Sequence, residues 1–308
     1  MHVKMKREPE RLIIRPPSEW RSMLVRITRG CNWNRCRFCG IYPAMGQPDY
    51  SRREIGEIRE DIDILARRHP ARQTAFFGDA DPISAGIETF TNAAQYLRKL
   101  VPELQRLTCY ARASTLKRLG KKGIEELAQA GLDRVHIGLE SGDAKVLRFH
   151  RKGQSPEMVR AVTKWLQEAG IEVSFYVLLG LGGRDRWQEH ILATARLINQ
   201  TRPEFVRIRR LWLYGTEATG TECPLWDMVR DGTFVEQTPE GTVMELRLLI
   251  QHLEPGPTFI ACDHANNYIN VSGFLNTDRE DMMAEIDEFL ALPVGRRQAH
   301  YQHIGSRI

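Results

Sequence analysis

Three cysteines, Cys31, Cys36 and Cys39, fall within nine residues of a 308-residue chain that has only six. The others, Cys109, Cys223 and Cys262, stand apart and read as small buried apolar side chains. Clustered thiolates hold metal, and three in one loop suit zinc or an iron–sulfur cluster. A structural zinc wants four ligands, yet the next histidine, His69, lies thirty residues beyond Cys39. The C-x4-C-x2-C spacing is also that of plant-type [2Fe–2S] ferredoxins, whose fourth ligand would have to be Cys109, seventy residues on. The third option is a four-iron cube held by three cysteines, with one iron open to another ligand. An iron–sulfur electron-transfer protein, a zinc-containing binding module and a catalytic cluster are thus the three readings of this loop.

The text around the loop alternates strand-like and helix-like runs. "SMLVRIT" reads as a strand leading into the cysteines, followed by a helix from about Arg52 with Ser51 and Glu54 in capping-box spacing and Ile55, Ile58, Ile62 and Leu65 on one face. "QTAFFG", "RLTCYAR", "RVHIGLE", "EVSFYVLLG" and "FVRIRRLWL" read as five more strands, each followed by an amphipathic helix. Six βα units predict an α/β fold: a partial, TIM-like (β/α)6 barrel, with a doubly wound open sheet as the rival. Several strands end in polar or glycine-rich text ("FFGDAD", "IGLESG", "LLGLGG"), at the carboxyl edge where parallel α/β folds build their sites. The expected organisation is an N-terminal extension over 1–20, the barrel over 21–253, and a small C-terminal cap and tail over 254–308. In that last segment Thr277 and Glu280 suggest the capping box of a final helix.

A three-cysteine, site-open cluster after the first strand of a βα barrel resembles the radical S-adenosylmethionine (SAM) superfamily, over roughly residues 20–215. That superfamily usually spaces its cysteines C-x3-C-x2-C with an aromatic residue before the last. Here Phe38 takes the aromatic place, and one extra residue separates Cys31 from Cys36. The resemblance implies a [4Fe–4S] cluster on Cys31, Cys36 and Cys39, with SAM chelating the open iron through its amino and carboxylate groups. It further implies reductive cleavage of SAM to methionine and a 5′-deoxyadenosyl radical that abstracts hydrogen.

The same resemblance suggests the cofactor contacts. "GDAD" offers Gly78, Asp79 and Asp81 where the superfamily meets the SAM ammonium, because glycine admits close approach and a carboxylate complements the charge. Glu140 ends the fourth strand, where the branch containing Elp3, MiaB and coproporphyrinogen dehydrogenase carries Glu or Gln against SAM. Lys152, in "RKGQS", matches that branch's carboxylate-pairing basic residue, as a point charge rather than a fork. Gly180 and Gly182 resemble the turn lying against adenine, Ser114 is placed near ribose, and Arg207 near the barrel mouth. For substrate, Arg209 shares a strand face with Arg207, and "CDHANNY" contributes Asp263, His264 and Asn267.

Composition bounds the partners. The net charge of +5 is mild and interspersed, so nucleic acid is not expected. No apolar run reaches membrane-span or signal-peptide length, and unpaired cysteines suit a reducing compartment, so a cytoplasmic protein is expected. The expected partners are a small-molecule or peptide substrate and a low-potential electron donor such as flavodoxin or ferredoxin. The other three cysteines form no second cluster, so an auxiliary iron–sulfur centre is not expected, nor is a cobalamin-binding domain.

Overall fold

The computed structural model describes residues 8–12, 14–213 and 223–305. After a 3-10 turn at Pro17–Glu19, strands β1 (Met23–Arg26) and β2 (Thr28–Arg29) run into the cysteine loop, which ends at α1 (Ile41–Ala44). Then come β3 (Ser51–Arg52), α2 (Ile55–Arg68), β4 (Thr74–Gly78), a 3-10 turn at Pro82–Ala85 and α3 (Ile87–Leu100). The central units are β5 (Arg106–Ala111), α4 (Ala113–Gln129), β6 (Arg134–Glu140), α5 (Ala144–Phe149), α6 (Pro156–Glu168), β7 (Glu172–Leu179) and α7 (Gly183–Thr201). The chain continues through β8 (Phe205–Arg210), α8 (Leu225–Arg230), α9 (Pro239–His252), β9 (Phe259–Cys262), β10 (Val271–Phe274), α10 (Arg279–Ala291) and α11 (Val294–Gly305).

Eight strands form one sheet in the order β1-β4-β5-β6-β7-β8-β9-β10, parallel throughout except for the antiparallel β9–β10 pair. The six expected strands are β1 and β4 to β8. The sheet does not stop there: β9 joins β8 in parallel, and β10 turns back along β9, so the segment after residue 253 extends the barrel wall. β9 is only four residues long, which left too little period-2 text to mark it as a wall strand.

Each strand splits its faces. On β7, Val173, Phe175, Val177 and Leu179 are at most 3% exposed and belong to the apolar layer under the helices, while Tyr176 and Leu178 are part-exposed on the lumen side. The outer helices answer with Ile58 and Ile62 (α2), Phe90, Ala94 and Leu97 (α3), Val159, Val162 and Leu166 (α6), and Leu246 and Ile250 (α9), all buried at helical spacing.

Two helix starts differ from the sequence expectation. Helix α2 begins at Ile55 with Glu54 and Glu57 as its reciprocal box, because Ser51 and Arg52 pair with Thr28 and Arg29 as β3. Helix α10 begins at Arg279. Asp278 precedes it and spends its carboxylate on the Phe274 N–H at 2.7 Å.

Candidate functional site

The cysteine loop lies between β2 and α1, so all three sulfurs stand at the carboxyl edge of the sheet. Side chains and backbone tie it to the loops that end the neighbouring strands. Trp33 Nε1 donates to the Arg151 carbonyl at 2.7 Å, the Arg37 N–H to the His150 carbonyl at 3.0 Å, and Asn32 Nδ2 to Asp81 Oδ2 at 3.1 Å. Arg112 lies over the Trp33 ring at 4.7 Å and donates to the Lys152 carbonyl at 3.0 Å. Gly153 makes this packing feasible. Its φ is +72°, and an added Cβ would come within 2.6 Å of the Trp33 ring and 3.0 Å of Arg112 Nη2.

Behind the loop, Phe38 meets His150 edge-on at 5.6 Å, and Phe149 stacks on Phe234 at 5.9 Å. Burial pulls the His150 pKa down to about 4, so the ring is neutral at physiological pH while its Nε2 meets the Leu181 carbonyl at 2.8 Å. Burial likewise pushes the Cys36 thiol up and the Cys39 thiol to about 12. Thiolates there need a cation close by, which is the condition a bound iron meets. Among the described residues no three His, Cys, Asp or Glu side chains close on a single-ion site. A cube that receives each thiolate on a different iron does not require them to.

Two acidic groups expected from "GDAD" have different surroundings. Asp79 is fully buried and paired with Arg26, whose Nη2 and Nε approach Oδ2 at 2.6 and 2.7 Å. Arg26 also pairs with Glu10 at 2.8 Å, and Glu10 meets Arg29 at 2.7 Å and Arg53 at 3.1 Å, so this end of β1 is a packed charge network. Gly78 is crowded by the same N-terminal segment: an added Cβ would meet Leu12 Cδ2 at 2.7 Å. Asp81, 1% exposed, accepts from Thr115 Oγ1 at 2.5 Å and from Asn32, while among the described residues its Oδ1 has no hydrogen-bond partner. Burial raises its pKa to about 6 against the lowering effect of Thr115 and Arg112, so it is mostly ionised at neutral pH.

Glu140 and Lys152 form the second polar centre. Lys152 Nζ donates to Glu140 Oε1 at 2.7 Å, with side chains 12% and 11% exposed. Burial opposes the lysine's charge, but Glu140 and Cys36 outweigh it and hold its pKa above the ordinary range. The pair depends on two backbone features. β6 shifts register between Gly138 and Glu140, and Glu140 sits at φ +62°, a left-handed conformation that costs a non-glycine residue about 1–2 kcal/mol. Gly138 leaves the needed room, since a Cβ there would lie 2.3 Å from Glu140 Oε1 and 2.8 Å from Lys152 Nζ. Gln154 Nε2 holds the strand end by donating to the Gly138 carbonyl at 2.9 Å.

The glycine turn from Gly180 to Gly183 closes on itself, Gly183 N–H to Gly180 carbonyl at 3.0 Å, and is braced from outside. Glu245 on α9 accepts the Gly180 N–H at 2.6 Å, and burial raises its pKa to about 7. At Gly182 a Cβ would meet the Arg186 carbonyl oxygen at 2.8 Å and His190 Cβ at 3.0 Å. His190 in turn meets Ser141 Oγ at 2.7 Å and the Leu178 carbonyl at 3.0 Å, linking the ends of β6 and β7.

Of the remaining expected residues, Ser114 is half-buried in the first turn of α4, and its neighbour Thr115 makes the contact to Asp81. Arg209 and His264 are brought together. An arginine nitrogen only donates, so His264 Nε2 accepts, while Nδ1 lies 2.5 Å from Asn266 Oδ1 and 3.2 Å from the Asn266 backbone nitrogen. Asn267 is committed to the fold: its amide donates to the Ile208 carbonyl at 2.9 Å and accepts the Arg210 N–H at 3.1 Å. Asp263 is exposed at the end of β9, and Arg207 stands on the lumen face of β8.

Asn32, Trp33, Arg112 and Thr115 were not singled out by sequence reasoning. The first two lie inside the cysteine loop itself, and the other two directly follow β5 at the carboxyl edge, so position was the available signal. A cleft of about 330 Å³ lined by Arg59, Asn92, Gln95, Tyr96 and Lys99 lies on the outer helix layer between α2 and α3, away from these groups.

Several known proteins are similar to this chain in fold or sequence. The archaeal Elp3 of Methanocaldococcus infernus superposes with a TM-score of 0.54 at 16% identity, covering 88% of this chain and 64% of that one. The radical S-adenosylmethionine methyltransferase TsrM of Kitasatospora setae, solved with cobalamin and a [4Fe–4S] cluster, gives 0.52 at 18% identity over 63% of this chain and 35% of its own. Coproporphyrinogen III oxidase of Escherichia coli, described as a radical SAM enzyme, gives 0.50 at 14% identity over 69% and 52%. By sequence, the tRNA uridine(34) acetyltransferase of Methanocaldococcus jannaschii is 29% identical over 66 residues, 21% of this chain and 12% of that protein. The chain thus spans less than two thirds of the length of each of these proteins. No described helix is long and apolar enough to cross a membrane. The Radical SAM superfamily profile matches residues 25–198, more than half of the chain, from within β1 through the cysteine loop into α7, and the chain belongs to that superfamily, whose cofactors are a [4Fe–4S] cluster and SAM.

Proposed function

We propose that Cys31, Cys36 and Cys39 hold a [4Fe–4S] cluster whose remaining iron takes SAM, and that the chain is an enzyme abstracting hydrogen from a small-molecule or peptide substrate. When bound, the pair supplies an electron and a sulfonium, whose reductive cleavage yields methionine and a 5′-deoxyadenosyl radical. The observation that carries this reading is the meeting of the cysteine loop with Asp81 and with Glu140–Lys152 at one sheet edge. Asn32, Trp33, Arg37 and Arg112 bring them together.

Each group then has a task. Asp81 Oδ1, buried, mostly ionised and without a partner among the described residues, suits the SAM ammonium. Asp79 suits it less, because Arg26 already compensates its charge. Lys152 faces a carboxylate, and Glu140, which holds the lysine, retains a second oxygen for ribose hydroxyls. The Gly180–Gly183 turn gives adenine a flat seat whose backbone is fixed by Glu245. Phe38, His150, Phe149 and Phe234 exclude water behind the loop. A low-potential flavodoxin or ferredoxin in the cytoplasm fits the electron requirement.

Anaerobic loading with iron and sulfide tests the reading. Dithionite-reduced protein is expected to convert SAM to 5′-deoxyadenosine, and Cys36→Ala to abolish that conversion while the metal-free variant keeps the wild-type circular dichroism. Undiminished 5′-deoxyadenosine from Cys36→Ala would reject it.

A further inference from the structure

The lumen side of the sheet is unlike its helix side. On β5, β7 and β8 the helix-facing residues Cys109, Phe175, Val177, Val206 and Ile208 are at most 1% exposed, whereas Tyr110, Tyr176, Arg207 and Arg209 on the other face remain part-exposed. The lumen face is therefore polar and reaches solvent in part. Tyr110, His136 and Tyr176 form a triangle of rings with centroids 5.8, 6.0 and 6.3 Å apart. Among the described residues, neither nitrogen of the fully buried His136 has a hydrogen-bond partner at ordinary distance, and the same holds for Arg207 Nε and the hydroxyls of Thr108 and Ser174 beneath them, while the Tyr176 hydroxyl is turned to that of Tyr110. Buried polar groups are satisfied as a rule, so a cluster of this size calls for something polar to complete it.

The charge balance indicates what. Arg207 stands opposite Tyr176 in the β7–β8 register, and Arg209 opposite Leu178. Among the described residues neither guanidinium has a carboxylate partner; the partner of Arg209 is the neutral ring of His264. Glu19, at the closed end, lies 3.8 Å from His136 and is engaged by Ser22 at 2.5 Å and by Arg106 at 3.8 Å. Asp263 is exposed at the rim. Two uncompensated forks two residues apart on one strand face an uncharged aromatic floor.

We propose that the lumen takes a substrate bearing an oxyanion, carboxylate or phosphate, gripped by Arg207 and Arg209, with Tyr110, His136 and Tyr176 contacting its polar body. The assignment as a substrate site rests on the radical SAM reading above, while the anion binding itself does not. Planar forks suit these oxygens because each can donate two parallel bonds, and the part-buried lumen strengthens them relative to water.

The test is calorimetric titration of the full, cluster-loaded chain under nitrogen with saturating SAM, using glutarate, inorganic phosphate and the neutral diamide glutaramide as probes. Glutarate or phosphate is expected to bind, the preferred one identifying the oxyanion, and glutaramide is not. Arg207→Gln and Arg209→Gln are each expected to weaken that binding roughly tenfold or more. Arg207→Lys should retain part of it, and Arg196→Gln on the outer surface should change nothing. Melting curves like wild type show that the variants are folded. Absence of binding by both anions, equal binding of glutaramide, or unchanged affinity in both glutamine variants overturns the proposal. So does a loss in those variants of the change that SAM makes to the cluster's electron paramagnetic resonance, since the arginines would then serve SAM. If wild-type protein shows no response to SAM yet binds the anion through both arginines, the enzyme reading fails and the anion site stands.

Discussion

Lys152→Met isolates the electrostatic centre of the site. Its Nζ is 2.7 Å from Glu140 Oε1, and both side chains are almost enclosed. At that separation, with an effective dielectric of about 20, the Coulomb attraction is about 6 kcal/mol. Desolvation of the two ions takes back several kcal/mol of it, so the pair's net value is small. Removing the lysine alone is another matter, because Glu140 is then left buried beside Gly138 with its principal cation gone. The expected loss is about 3–5 kcal/mol of folding stability. Lys152→Met combined with Glu140→Gln removes both charges and should recover most of that, a coupling of at least about 2 kcal/mol. Urea unfolding of the metal-free chain at pH 7, followed by tryptophan fluorescence, measures all four corners of the cycle. An unchanged slope with denaturant shows that the midpoint shift is stability and not a change in the unfolded state. A loss below about 1 kcal/mol, with additive single variants, would refute the pair as a buried, interdependent unit.

Gly153→Ala should cost about 1–2 kcal/mol for the left-handed backbone and about 1–3 kcal/mol for pressing a methyl into Trp33. Calorimetry should show a melting temperature lower by several degrees, and reconstitution should show reduced iron uptake, since the ring it displaces clamps the cysteine loop. Glu245 predicts a pH effect. Its folded pKa is raised from 4.5 to about 7 by burial, so its protonated form favours the fold. Its contribution is full below about 4.5 and declines as pH rises to about 7, a loss of about 3 kcal/mol. Glu245→Gln keeps an acceptor for the Gly180 N–H and should flatten that part of the stability profile measured by urea unfolding between pH 4.5 and 7.5.

Much of the framework was legible because strand and helix periods differ. The buried Val173, Phe175 and Val177 of β7 and the buried Val159, Val162 and Leu166 of α6 announce their elements by spacing alone. The cysteine loop stood out because three thiols within nine residues of a cysteine-poor chain have few structural uses. What escaped depends on contacts between residues distant in sequence. Nothing local distinguishes Arg112 from other arginines until its guanidinium is seen over Trp33, seventy-nine positions away. Helix α2 was placed by a capping box at Ser51 that competes with strand pairing to Thr28 and Arg29, and pairing won. Asn267 has the chemistry of a substrate contact, but its amide completes the backbone pairing at Ile208 and Arg210.

The two aspartates of "GDAD" show why residue type and position leave a role undecided until partners are known. Both are buried, and both follow β4 at the carboxyl edge. Asp79 meets Arg26 at 2.6 Å, inside a network that also holds Glu10, Arg29 and Arg53, so its charge is compensated where it stands and secures the N-terminal segment against β1. Asp81 is met by a hydroxyl and an amide, which satisfy one oxygen without cancelling the charge. Burial therefore raises its pKa to about 6, a state that a cation would reverse. A site that must attract an ammonium needs a carboxylate already desolvated and not yet neutralised, and of the two only Asp81 is in that condition. On the proposed reading, Arg26 acts indirectly, by compensating the competing carboxylate of Asp79.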